Sequence, residues 1–309
     1  MSMDYWKLVK DSIRNGWEYK FLWLFGFFVV GADAFPGLIS NISGGGDESR
    51  MEMLRDLDIY IEPATILVLV VSALFLFLLF WILGVLSEGA LIHGVSRKYN
   101  EENVTFGDCW AVGTDKFWKL FGILFVLGII AAMVSISVMI IVIPSFIASV
   151  ALGVILLLFA IPVIMAIIFA VEAVSAWAIR FAVIDDEPWL DSIGKGWGML
   201  RDNFGKTFGV ALSSVISQFV MAIIFILAAI VAAIPFIILG VITLGLGIVL
   251  GILAGIVFLI FTNAFFGVYK SSLWTLAFLE IRRLGVQQAP AGNTDNPQQG
   301  QLPDQNYSN

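Results

Sequence analysis

The chain holds one cysteine and one histidine in 309 residues. A lone cysteine, Cys109, excludes an intramolecular disulfide and a cysteine-rich metal site. A lone histidine, His93, excludes every site built on a histidine pair. Charge is scarce as well. Only 13% of residues are charged, and the formal net charge is −7. Nucleic acid requires a basic footprint, so it is not an expected partner. The sequence carries no glycine-rich phosphate loop, no metal-spaced His/Cys set and no nucleophile–base pair. The expectation is a protein that is not an enzyme and takes no cofactor.

Apolar residues are what the sequence has in abundance: 60% of the total, with a mean hydropathy of +0.95. Runs of this kind mark membrane helices. One runs from Phe21 to about Ile39 and another from Ala64 to about Leu86. A block from Phe117 to Ile179 is, beyond Lys119 near its start, interrupted chiefly by Pro144, Pro162 and Glu172. At about 1.5 Å per residue it is roughly twice the length that crosses a ~30 Å core. It is expected to fold back near Pro144-Ser145. A second double-length block, Phe208 to about Phe266, is expected to turn in the glycine-rich stretch 240–247. The fold expected is an all-α integral membrane protein with six transmembrane helices.

Basic residues set the orientation. Arg50 and Arg55 stand on one side, among six acids between Asp47 and Glu62, and the other fifteen of the 17 Lys and Arg fall on the opposite side. Basic loops stay inside. The reading is therefore a multi-pass protein of the cell (inner or plasma) membrane with both termini cytoplasmic. "ADA" at 32–34 resembles a signal-peptide cleavage site near Ala34, but the segment before it is amphipathic and mixed in charge. Residues 286–309 are polar and rich in Pro, Gly, Asn and Gln, and read as a disordered tail.

The stretch "KFWKLFG" at 116–122 has echoes in "YKFLWLFG", closing at Gly26, and "NFGKTFG", closing at Gly209. Each follows a stretch with apolar residues every three or four positions, which is helical period. The unit read here is an amphipathic interfacial helix, a span out and a span back, repeated in parallel three times, over about 1–97, 98–180 and 181–284 within a membrane domain 1–285. On this reading Trp17, Lys20, Trp110, Lys116, Lys119, Trp197 and Lys206 are interfacial anchors, the lysines reaching headgroup phosphates.

Residues 87–122 and 178–209, built from loosely spaced Trp, Gly and basic residues, resemble an uncharacterised prokaryotic group of six-span membrane proteins. That group is similar to the membrane domain fused to some glycerophosphodiester phosphodiesterases and to the YciC-like inner-membrane proteins. The resemblance covers about residues 1–285. It implies an integral membrane protein of undefined biochemical role and carries over no catalytic residue.

Ionisable groups inside membranes are costly and often functional. Glu88, Glu172 and Asn263 each stand one to three turns inside a basic residue. The hypothesis is that they converge on the bundle axis as an intramembrane polar site; the rival reading leaves them separately solvated at the interface. Asp33 reads as solvated or capping a break, and His93 as interfacial. Two functions remain open. One is a non-enzymatic scaffold or accessory protein that binds membrane lipids or an unidentified membrane protein. The other is a transporter or lipid-handling protein with a polar site between the even-numbered helices.

Overall fold

The computed structural model describes residues 3–31, 63–243 and 246–288. Asp33, the "ADA" stretch, the acidic loop with Arg50 and Arg55, and nearly all of the polar tail lie outside the described residues. Within them every regular element is a helix: α1 Tyr5–Glu18, α2 Leu22–Gly31, α3 Pro63–Tyr99, α4 Phe106–Ala148, α5 Val150–Ile184, α6 Trp189–Asp202, α7 Phe204–Ile242 and α8 Leu246–Gln288. Five of them, α3, α4, α5, α7 and α8, are long and apolar enough to cross a membrane.

Local chemistry explains the helix starts. Asp4 caps α1 by accepting the Lys7 backbone N–H at 3.0 Å. Thr105 and Asp108 form a reciprocal capping box at the start of α4, satisfying two donors that a helix otherwise leaves open. Downstream of that cap nothing interrupts the helix. The amphipathic stretch before Gly122 is therefore continuous with the apolar one in a single helix of 43 residues, not the separate helix expected. The corresponding stretch before Gly209 is separate, because Asn203 leaves helical geometry (φ −123°, ψ 36°) between α6 and α7.

The fold-back also differs from expectation. Pro144 lies inside α4, and the chain reverses at Ser149, which is extended at φ −165° and ψ 130°. Proline's fixed φ suits a helix, so it costs the helix one donor rather than a reversal. The second reversal falls between Ile242 and Leu246, within the glycine-rich stretch.

Most of the burial lies toward one end of the helices. Within the most apolar 18 residues of each long helix, no more than 11% are buried. The core instead gathers toward the charged end, from Val85–Val95, Leu120–Leu127, Ala173–Val183 and Ala264–Leu284. Its centre is aromatic: Trp177 meets Trp274 edge-on at 5.0 Å, and Phe278 meets Phe181 at 4.9 Å.

Three glycines set how α1, α4 and α6 lie on this core. A Cβ on Gly113 (α4) would stand 2.5 Å from the Leu86 carbonyl oxygen of α3, and one on Gly196 (α6) 2.9 Å from the Val174 carbonyl oxygen of α5. A Cβ on Gly16 (α1) would stand 2.9 Å from the Phe265 ring of α8. Helices come this close only where a side chain is missing. The Phe-Gly pairs have a parallel set of contacts. Phe106 stacks on Phe25 at 4.9 Å, Trp189 lies against Gly122, and Tyr5 lies against Gly209. Each time, the aromatic residue that opens one helix covers the Phe-Gly pair of another.

The lysines of "KFWKLFG" bind protein rather than waiting for headgroup phosphates. Lys116 Nζ reaches Asp186 Oδ1 at 2.7 Å, and Lys119 Nζ donates to the Asp186 carboxylate and, at 2.9 Å, to its carbonyl. Asp186 sits in the α5–α6 connection with φ +57°, a left-handed conformation that Asp tolerates better than most residues. The Lys116 and Lys119 ammonium groups hold its carboxyl below the usual aspartate range.

Candidate functional site

At the charged end of the long helices a cavity of about 550 Å³ opens between α3, α4, α5 and α8, with Val29 of α2 at its edge. Its wall along α4 is apolar and includes Leu124, Phe125, Gly128 and Ile129. Its polar lining holds Glu88, Glu172, Arg180, Lys270 and Ser271.

These groups form two oppositely charged pairs. Glu88 Oε1 stands 3.6 Å from Arg180 Nη2 and accepts the Ser271 hydroxyl at 3.2 Å. Arg180 Nη2 also donates to the Ser271 carbonyl at 3.1 Å, and its Nη1 to the Ala176 carbonyl at 2.6 Å. The arginine is only 2% exposed, and its Nε–H has no protein partner. Glu172 Oε1 stands 3.4 Å from Lys270 Nζ, and both side chains are exposed, 56% and 39%. The pairs differ in energetic character. A buried cation stripped of its partner destabilises strongly, whereas an exposed pair contributes little.

Of the three polar residues singled out from the sequence, Glu88 and Glu172 line this cavity and Asn263 does not. Asn263 is exposed, and its amide donates to the Leu259 carbonyl of its own helix at 2.9 Å. The expected convergence of all three on one site is therefore corrected: Asn263 does not join the two glutamates at the cavity. The two glutamates are also offset. Relative to the carbonyls that Gly113 and Gly196 approach, Glu88 lies two residues after Leu86 and Glu172 two before Val174. Four residues is about 6 Å along a helix.

Arg180, Lys270 and Ser271 were missed as site residues. The available signal was pairing, since a carboxylate held among apolar helices needs a cation at matching depth. Among the anchor residues, Trp17, Trp110 and Trp197 are 51%, 39% and 56% exposed. Lys20 is exposed and Lys206 half-buried. His93 is half-buried and lines a second cleft of about 350 Å³ with Arg97, Asp108, Asp115, Lys116 and Asp186. Cys109 is fully buried. Among the described residues no group of three or more His, Cys, Asp or Glu side chains is arranged to hold a metal ion.

A family model covers residues 16–279 of the chain. The chain belongs to DUF7544, a family of unknown function. This agrees with an uncharacterised family, while the likeness to the phosphodiesterase membrane domain and to YciC-like proteins finds no support in it. No curated protein and no solved structure matches.

The Glu88–Arg180 pair predicts a specific thermodynamic coupling. Glu88→Ala leaves a buried guanidinium uncompensated and should destabilise the protein by about 3–5 kcal/mol. Adding Arg180→Met should recover most of that loss, and Glu172→Ala should cost under about 1 kcal/mol. Denaturant unfolding in micelles measures all three; additive effects of Glu88→Ala and Arg180→Met would show that the two side chains do not interact.

Proposed function

We propose that this DUF7544 protein is a non-enzymatic, lipid-handling protein of the cell membrane that admits part of a lipid molecule into the α3–α4–α5–α8 cavity. The observation that carries this reading is the cavity's two-part lining. An apolar wall lies beside paired charges, and that combination fits an amphiphile better than it fits a small polar solute. Phe125 and Ile129 on the wall are 51% and 44% exposed, so the cavity is continuous with surface that lipid would cover.

The proposal includes the architecture: six spans, arranged as three parallel repeats, each opened by an amphipathic segment. Two sets of contacts support it. The glycine contacts relate α4 to α3, α6 to α5 and α1 to α8. The aromatic cover on each Phe-Gly pair follows the same cyclic order, as expected of parallel repeats around an axis along the membrane normal. Both termini are proposed to be cytoplasmic on the charge asymmetry of the loops. A second reading, a scaffold for a membrane partner, draws on the aromatic core at the charged end, which gives a rigid platform.

Two measurements test these proposals. For orientation, in a Cys109→Ser background, Ser49→Cys should react with a membrane-impermeant thiol reagent in intact cells. Asn100→Cys, in the exposed α3–α4 turn, should react only after permeabilisation; the reverse pattern rules out the proposed orientation. For function, the purified protein should retain lipid through extensive detergent exchange, as read by native mass spectrometry. Gly128 lines the cavity, and a Cβ there would meet nothing within 4 Å, so Gly128→Trp should fill the space and abolish retention. Equal retention by both proteins would refute the lipid-handling reading and leave the scaffold.

A further inference from the structure

The charges in the cavity restrict which lipid it accepts. Glu88 and Glu172 offset Arg180 and Lys270, so the lining carries no net formal charge. Yet Glu88 and Arg180 do not close on one another: they stand at 3.6 Å, beyond a good hydrogen-bond distance. Arg180 is 2% exposed and keeps one N–H without a protein acceptor. A buried donor of this kind calls for an acceptor. The outer pair, Glu172 and Lys270, remains accessible.

Building on the lipid-handling reading, we infer that the cavity binds a zwitterionic phospholipid, one whose headgroup carries a phosphate and a primary amine, in preference to lipids of net negative charge. The phosphate oxygens accept from Lys270 and lie over the Arg180 guanidinium in the cavity wall. The headgroup ammonium lies against Glu172, and the acyl chain follows Leu124, Phe125 and Ile129. A neutral diacylglycerol has no phosphate to offer Arg180. A net-anionic headgroup satisfies the cations but brings no cation to Glu172, and like charges repel strongly where water is sparse. The apolar wall requires the acyl chain, so a water-soluble headgroup fragment is a poor ligand.

Competition in native mass spectrometry tests this with the full-length protein. Phosphatidylethanolamine, phosphatidylglycerol and diacylglycerol with identical chains are offered in equal amounts. Phosphatidylethanolamine should be bound over phosphatidylglycerol by about tenfold or more, equivalent to about 1.4 kcal/mol. Glu172→Gln should erase that preference while binding persists, and Glu172→Asp should keep it. Lys270→Gln should weaken both phospholipids. Soluble glycerophosphoethanolamine in excess should not displace the lipid. Equal or reversed preference in the native protein overturns the zwitterion assignment and leaves lipid handling intact. A preference unchanged in Glu172→Gln overturns the assignment of the ammonium to Glu172. Displacement by the soluble fragment overturns a membrane source for the ligand. Binding of none of the three lipids overturns this inference and the functional reading together.

Discussion

Inside a bilayer the hydrophobic effect does not drive helices together, because lipid tails are as apolar as the side chains. Packing there depends on close backbone approach, polar contacts and whatever the helices bury outside the hydrocarbon. In this protein the long helices are nearly bare along their apolar stretches. Their buried residues cluster toward the charged end, around Trp177, Trp274 and Phe278. That end must therefore hold the helices in register. The glycine contacts made by α1, α4 and α6 bring those helices onto it. The Asp186 connection, held by two lysines of α4, ties the start of α6 to the same place.

The arrangement has a consequence for the charges. Helices of 35 to 43 residues exceed a ~30 Å hydrocarbon core by a wide margin. Their charged turns project beyond the most apolar stretches, where partial hydration lowers the cost of Glu88, Arg180, Glu172 and Lys270. Neutrality across the four groups lowers it further. The proposed lipid site follows from the same geometry. Between the helices that meet near the charged end lies a cavity with charged groups on one part of its lining and an apolar wall on another.

Much of the fold was legible in the sequence, because hydropathy and helix length report directly on apolar runs. The start of α3 and the reversal in the glycine-rich stretch followed from those signals, whereas α3 runs on to Tyr99 and α8 to Gln288, well past the apolar limits near Leu86 and Phe266. The failures share a cause. Pro144 was read as a turn because proline marks helix ends in water, yet its φ is compatible with the helix and the reversal waits for Ser149. Asn263 reads from its polarity as reaching across the bundle, yet its amide donates to its own helix and it lies outside the cavity lining. Lys116 and Lys119 were read as bonding to phosphate because sequence gives no sign of a distant partner, and Asp186 lies about seventy residues away. Arg180 and Lys270 were counted as loop charges that set orientation. Which face a basic residue presents depends on the helix register, which the glycine contacts fix and a hydropathy plot does not record.

The central claim is that α1 completes the charged-end core by packing on α8, rather than floating as a lipid anchor. Leu8 is 8% exposed and belongs to the core, whereas Trp6, two residues away, is 77% exposed. The direct test is thermal unfolding of Leu8→Asp and Trp6→Asp in the same lipid nanodiscs. If α1 closes the core, Leu8→Asp lowers the melting temperature sharply and Trp6→Asp leaves it near that of the native protein. If the helix serves only to grip the bilayer surface, the order reverses: Trp6→Asp releases it and Leu8→Asp has no greater effect.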